Sequence, residues 1–110
     1  YDRGSIVKTV ENSIDNGVTC FICWNDILAY TIIDILKDMK IKVPEHVCIT
    51  GFDDIVPNTG KNILTTVHQP FFEKGRKAME LLISQINNKS DRECKTEYLI
   101  ECKIVKRKSL

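Results

Sequence analysis

The stretch Val18–Trp24, "VTCFICW", constrains this chain more than any other. It is a continuous apolar run bounded by Gly17 on one side and Asn25–Asp26 on the other. Seven residues are too few for a buried helix and about right for a strand covered on both faces, as strands of parallel sheets are. A second run, "HVCITGF" at 46–52, has the same character and ends in Gly51. Two such strands need a crossover between them, and the chain supplies one. "ILAYTIIDILKDMKI" carries apolar residues over most of a helical surface. Asp26 is the expected N-cap, Lys37 and Lys40 suit the negative end of the helix dipole, and Pro44 ends the segment.

The rest of the chain extends this alternation. Ile6, Val7, Val10 and Ile14 recur at helical spacing in "SIVKTVENSIDN", with Gly17 as the stop. "DDIVPNTGKN" is a loop by composition, and "ILTTVHQ" is short and β-branched, hence a strand. Pro70 opens a helix in which Phe71, Phe72, Ala78, Met79, Leu82, Ile83 and Ile86 share one face. "NNKSDREC" is a polar loop, and "TEYLIECKIVKR" reads as a last, partly exposed strand. The order predicts an α/β fold, a mostly parallel sheet flanked by helices.

In such sheets, ligands bind beyond the carboxyl ends of the strands. The residues to inspect there are Asn25 and Asp26, Asp53 and Asp54, and His68 and Gln69. Asn25, Asp53 and Gln69 form a set suited to polyols: a carboxylate accepts from hydroxyls, while amides donate and accept. Each has an ordinary role when taken alone. Asn25 suits a turn, Asp53 a cap, and Gln69 a solvated position before a proline. Their coincidence at one sheet edge is what points to a sugar-type ligand. Trp24 offers an apolar face for a sugar ring, or simple packing at the end of a core strand.

Several other classes fit poorly. Sixteen basic residues against fifteen acidic ones exclude a strongly basic nucleic-acid module. No apolar run approaches the ~20 residues of a membrane span, and no basic-then-apolar leader is present. Five cysteines, an odd number among apolar neighbours, fit a reducing cytoplasm better than a disulfide framework. Cys20 and Cys23 have C-x-x-C spacing, but in a strand residues three apart point to opposite faces. They are expected to pack, not to form a redox pair or grip a metal. His46, His68, Cys48, Cys94 and Cys102 supply no second ligand pair at zinc spacing, so no metal or cofactor is expected. No Ser–His–Asp order, H-E-x-x-H or phosphate-binding glycine loop appears, so no enzymatic activity is expected.

"FICWNDILAY", "KVPEHVCITGFDD" and "LTTVHQPFFEKGRKAMELL" together resemble, in order and spacing, the lactose-/galactose-repressor family. The similarity covers the C-terminal part of its effector-binding domain, from about residue 5 to residue 105. That domain resembles a type I periplasmic sugar-binding protein behind a DNA-binding head. The resemblance implies a C-terminal effector subdomain at 1–69 and 96–106. It also implies a crossover helix and loop at 70–95 that packs on an absent N-terminal subdomain.

By the same resemblance, Asn25, Asp53 and Gln69 contact effector hydroxyls, and Phe71 lies at a crossover position near the cleft. Ile27, Tyr30, Ile55 and Val56 fall at the dimer interface. Trp24 stands where many relatives have a small residue, a feature similar to arabinose repressors, which carry a winged-helix head. The function implied is sensing of a sugar-like effector by a cytoplasmic, dimeric transcriptional regulator, most simply a repressor. DNA contact is expected only through the absent head. Alternatives are a periplasmic sugar-binding protein of a transporter, a sensor module of a larger signalling protein, or a thiol oxidoreductase using Cys20 and Cys23.

Overall fold

Asp2 caps helix α1, Arg3–Asp15: its carboxylate accepts from the amides of Gly4 and Ser5 at 3.3 and 2.9 Å. Gly17, with φ of 78°, follows the helix in a left-handed conformation that costs glycine little. The computed structural model describes residues 2–57, 60, 62–87 and 97–110. It divides into two units, Tyr1–His68 with Lys103–Leu110, and Gln69–Cys102.

The first unit contains α1, strand β1 (Cys20–Ile22), helix α2 (Asp26–Asp38), β2 (Cys48–Thr50), β3 (Thr66–His68) and, from the end of the chain, β4 (Lys103–Val105). β1 and β2 pair in parallel, with Cys20 opposite Cys48, Phe21 opposite Ile49 and Ile22 opposite Thr50. β3 and β4 pair antiparallel. Single parallel bridges, Thr50 to Thr65 and Asp53 to His68, join the two pairs edge to edge. The expected α/β architecture is therefore present, with β1–α2–β2 as its crossover and the last strand reversed.

Both helices serve one face of the sheet. Val10 of α1, Ala29, Ile32, Ile35 and Leu36 of α2, and Val47, Ile49 and Leu64 form the buried core. Fully burying one aliphatic side chain of this kind contributes about 1.5–3 kcal/mol. The end of the chain is bound into the same unit through Ser109. Its hydroxyl donates to the Ile49 carbonyl at 2.6 Å and accepts from the Thr65 amide at 2.8 Å. Its backbone bonds Ile49 and Ile63 as well.

Four expectations need correction. β1 is shorter than 18–24 and is not covered on both faces: Ile22 is 87% exposed and Cys20 is exposed, because α1 and α2 both lie against the opposite face. The N-cap of α2 is Asn25, not Asp26. Asn25 has the extended dihedrals of a cap, and its Oδ1 accepts from the Leu28 amide at 2.9 Å. That helix ends at Asp38, before Pro44 is reached, and Lys40 lies beyond it with φ of 59°. Among the described residues, the last strand is confined to Lys103–Val105, the part of "TEYLIECKIVKR" that pairs with β3.

The second unit holds helix α3, Phe71–Asn87, preceded by Pro70, whose carbonyl accepts from the Lys74 amide. Arg76 and Lys77 pair with Glu80, and Lys77 Nζ lies 4.8 Å from the centre of the Tyr98 ring. No residue of α3 is buried; Phe72 is 87% exposed, and Met79, Leu82, Ile83 and Ile86 are exposed with it. Most of the expected loop at 87–94 lies outside the described residues.

Gly51 is the tightest position of the fold. A Cβ there would fall 2.1 Å from Asp26 Oδ1 and 2.8 Å from Leu64 Cδ2. Gly51→Ala is therefore expected to destabilise the chain by about 2 kcal/mol or more, since it combines overpacking with a disturbed buried carboxylate. A urea unfolding midpoint equal to that of the unaltered chain would contradict this.

Candidate functional site at the strand ends

One side chain links the segment after β1, the loop after β2 and the first residue of β3. Asp26, the first residue of α2, is 1% exposed. Its carboxylate accepts from the Thr66 hydroxyl at 2.6 Å and from the Ile55 amide at 2.8 Å. Its own amide donates to the Phe52 carbonyl at 2.9 Å. Two hydrogen bonds and the positive end of the helix dipole offset the cost of burying this polar group.

That last bond decides where the polar residues sit. Asn25 and Asp53 are the immediate neighbours of its two ends, so the backbone at these two candidates is close in space. The capping bond uses Asn25 Oδ1 and leaves the Nδ2 donor out of that role. Asp53 is joined to the end of β3 through its own amide, which donates to the Val67 carbonyl at 2.9 Å, and through the bridge to His68. Asp53 and Asp54 have φ of 115° and 60°, two successive non-glycine residues outside the usual regions.

Asp54 is fixed by an ion pair not legible in the sequence. Arg107, beyond the last strand, donates to its carboxylate at 2.6 Å and to the Leu64 carbonyl at 2.9 Å. The His68 ring lies on the other carboxylate oxygen, with Nδ1 at 3.0 Å. Burial alone would raise the Asp54 pKa. The Arg107 hydrogen bond, the His68 hydrogen bond and their charges outweigh it and hold the carboxyl below its ordinary value. Nothing local to Arg107 signals this role, because its partner is 53 positions away.

The remaining candidates are placed as follows. Trp24 follows β1 and is exposed. Gln69 and Phe71 belong to the second unit; the Gln69 side-chain oxygen accepts from Lys74 Nζ, and its carbonyl accepts from the Phe71 amide at 2.8 Å. Of the residues expected at a subunit interface, Ile27, Ile55 and Val56 are exposed. Tyr30 is half-buried and its hydroxyl donates to Asn62 Oδ1 at 3.0 Å.

The thiol reading meets a geometric obstacle. Cys23 is buried and Cys20 exposed, and burial pushes the Cys23 thiol up to about 11, with the neighbouring Cys20 and Asp26 adding to the shift. Among the described residues, no group of three or more His, Cys, Asp or Glu side chains is placed to hold a metal ion. No helix there is long and apolar enough to cross a membrane.

These features define an α/β effector-type domain with its polar residues at the strand ends. Residues 5–110 match the periplasmic binding protein-like domain, and the chain belongs to that family. Within it, the chain resembles the arabinose metabolism transcriptional repressor of Geobacillus stearothermophilus. The two are 37% identical over 73 residues, which are 66% of this chain and 20% of the repressor. It also resembles the transcriptional repressor PurR of Aliivibrio salmonicida, 33% identical over 92 residues, or 81% of this chain and 28% of PurR.

Among solved structures, a LacI-type regulator from Bifidobacterium animalis aligns with a TM-score of 0.78 at 30% identity, covering 94% of this chain and 37% of that one. A LacI-family regulator from Enterococcus faecium with bound ribose aligns at 0.77 and 25% identity, covering 99% of this chain and 40% of that one. The chain thus corresponds to the effector-domain part of LacI-family regulators and spans well under half the length of these relatives.

The Asp54 pair predicts a pH dependence with a definite sign. A carboxyl whose folded pKa is lowered contributes stability that is fully present above the unfolded value, about 3.9, and is lost as pH falls through the folded value. Asp54→Asn is therefore expected to be less stable than the parent at neutral pH, with the gap narrowing below about pH 4. Parallel stability curves for the two proteins from neutral pH into acid would contradict the assignment.

Proposed function

We propose that this chain is part of the sensing region of a transcriptional repressor and binds a sugar-like effector at its strand ends. The observation that supports the reading is the Asp26–Phe52 backbone hydrogen bond, whose two residues are the chain neighbours of Asn25 and Asp53. A planar amide and a carboxylate side by side match the alternating donors and acceptors of a polyol. Trp24, exposed after β1, supplies an apolar surface, and Gln69 and Phe71 are candidates on the family resemblance alone. Ribose bound to the E. faecium regulator supports a monosaccharide as the ligand class. The action is binding, not catalysis, and the setting is the cytoplasm.

In the complete regulator, effector acts by preferring one conformation of a homodimer, and the DNA contact is made by a different part of the protein. Ile27, Tyr30, Ile55 and Val56 belong to the subunit interface. The second unit packs on a further part of the effector domain through its apolar helix face. In isolation, exposed Phe71, Phe72, Met79, Leu82, Ile83 and Ile86 favour self-association.

Two measurements test this. Asn25→Ala or Asp53→Ala, placed in the complete regulator, should abolish the response to effector while operator binding persists; an unchanged response in both variants overturns the site. The isolated chain should form dimers or larger species at concentrations of about 0.1 mM and above, near the affinity range of small interfaces. A monomeric mass by light scattering throughout that range contradicts the docking role of α3.

A further inference from the structure

The cysteine that faces Cys20 is not Cys23 but Cys48. The parallel register places Cys20 directly opposite Cys48. Neighbouring strands lie about 4.8 Å apart. That spacing falls within the roughly 4.4–6.8 Å between Cα atoms that a disulfide spans. Side chains opposite each other in register project from the same face of the sheet. The face is the one that α1 and α2 leave uncovered: Cys20 and Ile22 are exposed, and Cys48 and Thr50 are half-buried. Both thiols are free, and the Cys48 Sγ makes only a weak, long contact to the Pro44 carbonyl at 3.9 Å. Cys23 lies buried on the other face, where its raised pKa keeps it protonated and unreactive.

We propose that Cys20 and Cys48 form a two-thiol oxidation site on the exposed sheet face, closed to a cross-strand disulfide by a peroxide. In the first step, the Cys20 thiolate attacks one peroxide oxygen. The O–O bond breaks, a sulfenic acid forms, and the leaving hydroxide takes a proton to become water. In the second, Cys48 sulfur attacks Cys20 sulfur. The S–O bond breaks, the S–S bond forms, and a second water leaves with the Cys48 proton. The two thiols together lose two electrons and the peroxide gains them.

The link would join the two strands whose carboxyl ends carry Asn25 and Asp53, so that oxidation and the proposed effector site share one scaffold. The oxidation site itself does not depend on the effector reading.

The test treats the folded, reduced chain with a small molar excess of hydrogen peroxide, alkylates the remaining thiols, and digests with trypsin. Cys20 and Cys23 then lie in peptide 9–37, and Cys48 in peptide 43–61. The expected result is loss of two of the five thiols and a cross-linked 9–37/43–61 species. That species should persist in Cys23→Ser and vanish in Cys20→Ser and Cys48→Ser. Because the cross-linked peptide is read in the unaltered chain, an unfolded variant leaves the result intact. A link within peptide 9–37, a disulfide between chains, or five thiols still alkylated after peroxide overturns the proposal.

Discussion

The buried carboxylate of Asp26 is the constraint on which the rest of the structure depends. It begins a helix, accepts from a strand hydroxyl and from a loop amide, and its backbone closes on the end of β2. A carboxyl group at 1% exposure is tolerable only with this full set of partners and a helix N-terminus behind it. The set also dictates the surroundings. Residue 51 has no room for a side chain, because the Asp26 oxygen and Leu64 occupy the space where one would begin. One side chain therefore ties the start of β3 to the loop after β2, and the polar residues of that loop inherit the order.

A second clamp closes the unit from the far end of the chain. The chain leaves the first unit after His68 and returns at Lys103, and the return is fastened by Arg107 on Asp54 and by Ser109 between Ile49 and Thr65. Buried hydrogen bonds of this kind each contribute about 1 kcal/mol net. Leaving one partner unsatisfied costs about 1–3 kcal/mol. The tail is thus structural in the same sense as the strands, although it carries almost no regular structure of its own.

How much of this was legible follows from the range of each interaction. The period of the apolar residues exposed the α/β alternation, because side-chain facing is a local property of strand and helix. The strand-end rule points to Asn25, Asp53 and Gln69 from the sequence alone. What stayed hidden depends on distant partners. Asn25 and Asp26 are both good cap residues, and only the position of Thr66, forty residues on, makes Asp26 the buried one and Asn25 the cap. Arg107 looks like any basic residue in "KRK" until Asp54 is placed beside it. The exposure of Ile22 was equally out of reach. An apolar run reports a preference for burial, and cannot report that both neighbouring helices chose the same face.

The two positive-φ aspartates tie these clamps to the proposed function. Backbone held in sparsely populated regions carries a cost of order 1–3 kcal/mol per residue and survives only where its surroundings fix it. Here the surroundings are Arg107 and His68 on Asp54, and the Val67 carbonyl on the Asp53 amide. Asp53 is thereby presented by a turn that would relax if released. A ligand that gains from a preset Asp53 need not spend binding energy to create that geometry. A regulator works only when its effector binds one conformation better than another. Under the proposed reading, a strained turn braced by a tail sixty residues from β2 would make that preference a property of the whole unit, since the seating of the tail is linked to Asp53 through Asp54.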